Sequence, residues 1–155
     1  MSVPKSVVRF RKGKVEYTSS VDRASYTILE LTRAALRDVG KYVVRTANSK
    51  ARKLPGLKKS RRVFGRSSTF LYNVPWAKTG LPHLEVGVTD DTWYGVDQEL
   101  GTSKQPKRQI LRNSVHDNIA QIVEIESKYL SALEDEAKAL RLISEEEYTG
   151  GGEDG

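Results

Sequence analysis

The sequence predicts an α+β domain: a small, mainly antiparallel sheet of about four strands packed with two long helices. Two stretches, 22–48 and 113–142, repeat apolar residues at three- and four-residue steps, the period of a helix with one buried stripe. Between them lie short segments rich in β-branched and aromatic residues, bounded by Pro, Gly and Asp. The chain has 155 residues, which suits one domain and buries roughly 70% of the unfolded surface. The domain is expected over 1–143, with 144–155 as an acidic, Gly-rich tail.

Residues 1–20 read as an N-terminal arm or hairpin, because VVRFRKGKVEY (7–17) alternates around Lys12-Gly13-Lys14. Ser19 and Asp22 have the spacing of a capping box at a helix start. Ile28, Leu31, Ala35, Val39, Tyr42, Val43 and Thr46 then form the first apolar stripe, with Arg33, Arg37, Lys41 and Arg45 on a flank. Pro55-Gly56 ends that helix, and 50–68 reads as a loop. Residues 69–74 and 84–88 read as strands, and Thr89-Asp90-Asp91 as a turn. Residues 93–100 are extended or part-helical and end at Gly101. The second helix is expected over 113–142, with Val115, Ile119, Ile122, Tyr129, Leu133, Ala137 and Leu140 as its stripe. Glu126 falls on that stripe, which points to a wet middle or an inter-subunit polar contact. The composition of 144–155, SEEEYTGGGEDG, is that of a disordered tail.

Charge is polarised along the chain. Residues 1–66 hold 18 Lys and Arg against 4 Asp and Glu, while 115–155 hold 3 against 11. A basic front suits a polyanion such as nucleic acid. The same polarity also suits self-complementarity, the acidic end of one copy meeting the basic part of the next; such a head-to-tail contact closes into a ring when the rotation permits. The basic residues concentrate at Lys50, Arg52, Lys53, Lys58, Lys59, Arg61, Arg62 and Arg66, with no acid between them. They suit phosphates or the acidic surface of a neighbouring subunit, and Phe64 among them suits stacking on a base. The chain has no cysteine, which excludes disulfides and thiolate metal sites. No apolar run is long enough to cross a membrane, and MSVPKSVVRFRKGK lacks a signal peptide's apolar core, so no membrane partner is expected.

No cofactor and no enzymatic activity are expected. Gly101-Thr102-Ser103-Lys104 lacks the spacing of a phosphate loop. His83 and His116 have no partners at metal-ligand spacing apart from Asp117 beside His116. Asp90, Asp91, Asp97 and Glu99 are the one carboxylate set that suggests a hard cation or acid–base work. They straddle a turn and a strand, and read more simply as turn residues and surface charge. Ser67, Ser68 and Ser114 have no nucleophile motif around them.

The most informative stretch is 94–114, YGVDQELGTSKQPKRQILRNS. Here Tyr94, Glu99, Gly101, Thr102, Ser103, Lys104, Pro106, Arg108, Leu111, Arg112 and Ser114 fit a pattern of a Tyr, then Glu-aromatic-Gly-Thr, a polar loop and Arg-Pro-Phe-Leu-Arg-Pro-Ala running into the last helix. In this the chain resembles the tail-component family of long-tailed bacteriophages, small neck or tail-completion proteins at the head–tail junction. Leu100 stands in place of the aromatic, Ile110 in place of Phe, and Gln109 and Asn113 in place of prolines. Upstream, KLPGL (53–57) matches the outline of a second family loop. The resemblance implies a virion structural protein, assembled in the host cytoplasm into a homo-oligomeric ring, a hexamer by family. Such a ring would join the head connector to the tail around a channel for double-stranded DNA and contact other neck and tail proteins. At the corner itself, Gly101 permits a close backbone approach, and Glu99 is placed to accept loop amides or to pair with Arg112. A stand-alone, sequence-independent nucleic-acid-binding module is the alternative.

Overall fold

The computed structural model describes residues 3–5, 7–54, 70–75, 81–89 and 94–150; for Tyr94 and 146–150 it describes the backbone alone. The fold is α+β, with five α-helices and four strands among the described residues. Strands β1 (Val8–Lys12) and β2 (Val15–Ser19) form one antiparallel sheet, and β3 (Phe70–Asn73) and β4 (Glu85–Val88) another. The four expected strands are thus present, but in two separate pairs. The chain divides into two compact units, Met1–Ala34 with Lys128–Gly155, and Ala35–Ser127.

Helix α1 (Val21–Arg52) is 32 residues long, about 48 Å. Ser20 supplies its first hydrogen-bonded carbonyl, to the Ala24 amide at 3.0 Å, and the Ser19 hydroxyl accepts weakly from Val21 at 3.4 Å. The start expected at Ser19–Asp22 therefore lies where the polar side chains place it. Leu31, Val39 and Val43 of the expected stripe are buried, whereas Ile28 is exposed. Arg33 leaves the solvated flank: it is buried, with the Glu30 carboxylate 3.6 Å away one turn back. A buried guanidinium needs such a counter-charge.

In the first unit, Leu31, Ala34, Tyr129, Ala132, Ala139, Leu142 and Ile143 are buried. Arg23 ties it together, donating from Nε to Glu136 at 2.7 Å and from Nη1 to the Pro4 carbonyl at 2.8 Å. The hairpin β1–β2 turns at Gly13-Lys14, with Gly13 at φ 63°. Glycine at the first central position is the composition of a II′ hairpin turn.

The expected second long helix is divided into α3 (Ile110–His116), α4 (Ile119–Leu130), a 3₁₀ turn (Ser131–Glu134) and α5 (Glu136–Gly150). Polar side chains make both breaks. Asn118 donates from Nδ2 to the Ser114 carbonyl at 2.9 Å, and its own carbonyl starts the ladder of α4. Asp135 is extended, and its Oδ1 accepts from the amides of Ala137 (2.9 Å) and Lys138 (3.3 Å), the arrangement of an N-cap. Of the predicted stripe only Tyr129 is fully buried; Val115, Ile119 and Leu133 are exposed. Helix α5 takes in residues 144–150, the first part of the segment whose composition reads as a tail.

The second unit is built on the far half of α1. Ala47, Ala51, Phe70 and Ile110 form its core, with Val44, Leu54, Val88 and Leu111 against it. Strands β3 and β4 pair Phe70 with Val88 and Tyr72 with Val86. Gly40 lets this hairpin approach α1, since a Cβ there would lie 2.6 and 2.7 Å from Tyr72 ring atoms and 3.0 Å from Leu84 Cδ1. Gly40→Ala is expected to lower stability by about 1–2 kcal/mol, although alanine favours a helix by ~1 kcal/mol, because the Tyr72 ring must move. Urea unfolding checks it; a rise in midpoint would show that the ring yields without cost.

Candidate functional site

The 94–114 stretch is a tight corner between two short helices. Helix α2 (Tyr94–Leu100) ends at Gly101, whose amide donates to the Asp97 carbonyl at 2.8 Å. Gly101 has φ 78°, and a Cβ on it would stand 2.9 Å from both N and Cβ of Lys107. Left-handed backbone and close approach together require glycine there. Thr102 and Gln105 exchange backbone hydrogen bonds of 3.0 and 3.3 Å around Ser103-Lys104, and the Lys104 amide reaches Thr102 Oγ1 at 3.3 Å. After Pro106 the chain returns to the end of α2. The Arg108 amide donates to the Gln98 carbonyl at 2.9 Å, and Gln109 to Glu99 at 3.2 Å.

Glu99 closes the corner. Its Oε2 accepts from the amides of Ile110 (2.6 Å) and Leu111 (3.1 Å), and its Oε1 from that of Arg112 (3.2 Å). These are the first three N–H groups of α3, which have no partner within their own helix. Gln109, at the cap position, makes no side-chain bond to the helix-start amides. A carboxylate eleven residues upstream does the capping, and its charge also complements the positive end of the helix. Its partners are backbone amides, Arg112's among them. Ile110 and Leu111 then carry the corner onto the Phe70 core, and the buried Ser114 donates to the Ile110 carbonyl at 2.7 Å.

Glu99→Ala is expected to cost about 2–3 kcal/mol, since three helix-start amides lose a charged acceptor. Glu99→Gln should cost less than half as much, because one oxygen can still take the Ile110 and Leu111 amides. Thermal melts of both variants check this; equal melting of Glu99→Ala and the parent would remove the capping role.

Both departures at proline positions have a physical counterpart here. Gln109 has φ 49°, in the left-handed region, and its amide is hydrogen-bonded. Asn113 lies inside α3, with its amide bonded to the Gln109 carbonyl at 2.9 Å. Proline is confined to φ near −65° and has no N–H, so neither position as built accepts it. The last helix of the resemblance begins after its second proline, whereas α3 begins three residues before Asn113.

The basic cluster divides. Lys50 and Arg52 lie in the last turn of α1 rather than in a loop, and Lys53 is in the turn that follows. Lys50 Nζ pairs with Asp117 and donates to the Asn113 carbonyl at 3.2 Å, neutralising the C-terminal end of α3. Tyr42 adds a second polar tie, donating to Asn118 Oδ1 at 3.0 Å. Lys50 thus holds the end of α3 against α1 through a partly exposed ammonium. Lys58, Lys59, Arg61, Arg62, Phe64 and Arg66 lie outside the described residues, as do Pro55, Gly56, Ser67, Ser68, Asp90 and Asp91. His83 is exposed, with Nε2 3.2 Å from Glu85, and Asp97 is exposed on α2.

Sequence reasoning passed over Gly40, Asn118 and Asp135. The signal for the last two was local: Asp or Asn followed by an apolar helical repeat is a helix start, even inside a longer repeat. No protein-family model matches the chain, no curated protein matches it, and no solved structure matches it.

Proposed function

We propose that this protein is a virion structural component of the phage neck. It acts as an oligomeric ring, a hexamer, that joins the head connector to the tail around the DNA channel. One observation carries the reading. Glu99, Gly101, Leu111 and Arg112, four residues of the resemblance, all act in one capped corner, the Gly101 turn and the Glu99 bonds to α3. Their role is architectural: they fix where a helix starts and seat it on a core. The polarity of charge supports subunit-to-subunit contact, basic residues toward the front of the chain and acidic ones toward the end. No helix among the described residues is long and apolar enough to cross a membrane. The role is non-enzymatic, exercised in the virion after assembly in the host cytoplasm with other neck and tail proteins.

Native mass spectrometry with negative-stain imaging tests it. A closed ring, or a monomer that joins only a completed head or tail, is expected. A persistent monomer that ignores phage heads and tails would overturn the proposal.

A second reading, a stand-alone sequence-independent nucleic-acid-binding module, is favoured by the exposed Arg9, Arg11, Lys12 and Lys14 of the β1–β2 hairpin. It predicts that the isolated chain binds DNA, with log K falling by about 0.9 per phosphate contact for each tenfold rise in salt.

A further inference from the structure

The β1–β2 hairpin is exposed on both faces. In its register Phe10 stands opposite Tyr17, Arg9 opposite Thr18 and Arg11 opposite Glu16. Opposed residues of an antiparallel pair share a face. One face therefore carries Val8, Phe10, Val15 and Tyr17, with Lys12 at its turn end; the other is polar. Phe10 and Tyr17 are 61% and 60% exposed. A lone two-stranded ribbon is marginal in water, and a cluster of wet aromatic and branched side chains on it calls for a cover.

Helix α4 carries a matching strip. Ile119 and Val123, 53% and 52% exposed, are followed by the exposed Glu126 at a four- and then a three-residue step. These positions line one side of a helix. The strip is apolar with one anion, Glu126, set between Val123 and the 64% exposed Leu130, and the hairpin face is apolar with one cation, Lys12, at its turn end.

We propose that the apolar face of the hairpin of one copy docks on the Ile119–Val123 strip of a second copy, with Lys12 meeting Glu126. This rests on the ring reading and supplies its contact surfaces. The two surfaces differ, so each docked pair keeps one free hairpin and one free strip, and growth continues until a ring closes or a filament forms. The apolar faces provide the attraction. The single ion pair fixes the register, since a wrong alignment leaves a charge against apolar surface.

The cysteine-free chain makes the test direct. Full-length Lys12→Cys and Glu126→Cys chains are mixed and treated with a short bifunctional thiol reagent, and the unmodified chain is weighed by native mass spectrometry. A covalent dimer in the mixture, absent from either variant alone, is expected. In addition, Lys12→Glu should weaken self-association by about tenfold or more, and adding Glu126→Lys to the same chain should restore it. A ring without the cross-link overturns the docking and leaves the ring reading standing. The covalent dimer together with an open polymer of the unmodified chain upholds the docking and overturns the ring. The absence of both cross-link and ring overturns the docking, and overturns the ring reading as well when the chain also ignores phage heads and tails. No cross-link together with salt-dependent DNA binding that is lost in Phe10→Ser overturns the docking and makes the hairpin a nucleic-acid ribbon.

Discussion

Replacing Gln109 by proline is expected to destabilise the protein by about 3 kcal/mol or more. The reason is geometric. Gln109 sits at φ 49°, proline cannot leave φ near −65°, and the substitution also removes the amide that bonds to Glu99. The chain would have to swing at residue 109 and draw Ile110, Leu111 and Arg112 away from the Glu99 carboxylate. Gln109→Gly should do the reverse, raising stability by up to about 1 kcal/mol, because glycine holds left-handed backbone without the cost borne by a side chain. Denaturant unfolding of the two variants is the measurement. A proline variant as stable as the parent would mean that the corner has the proline-bearing geometry of the phage pattern and not the one described.

The second large effect is expected at Phe70. Phe70→Ala should cost about 3–5 kcal/mol. Phe70 is fully buried on β3, against Ala47 and Ala51 of α1 and Ile110 of α3. The two alanines cannot extend into the space the ring leaves, so the cavity stays open. A loss of this size is a large share of a typical domain's 5–15 kcal/mol. Phe70→Leu should recover more than half of it. Calorimetry of both variants checks the expectation; a loss below about 1 kcal/mol for Phe70→Ala would mean that the core collapses around the gap.

Phe70 and Gln109 also illustrate which features were legible in the sequence. Strands β3 and β4 and helix α1 came from short-range signals, β-branched runs between breakers and a long 3.6-residue period, and the structure has them within a few residues. Glu99 was legible as an acceptor because it stands next to a glycine break that leads into a helix, where unpaired amides need one. The left-handed Gln109 left no trace, since glutamine carries no preference for that backbone. The second helix was misread because periodicity continues across a cap: Asp135 restarts the helix without disturbing the apolar spacing. Its burial was misread for a related reason. Val115 and Ile119 have the spacing of a buried stripe, yet they face outward in the single chain, and period alone does not say whether the cover belongs to the same copy.

The break at Asp135 has a consequence for cooperativity. Helix formation has a costly first turn and cheap extension, so an uninterrupted helix from 119 to 150 would order and melt largely as one. With an extended residue and a fresh cap between them, α4 and α5 each have their own nucleus. Loss of order at the acidic end of α5 stops at Asp135, and order gained there through a contact does not have to be transmitted into α4. The C-terminal helix is thereby a separate thermodynamic element, whose helix content can change while α4 keeps its shape.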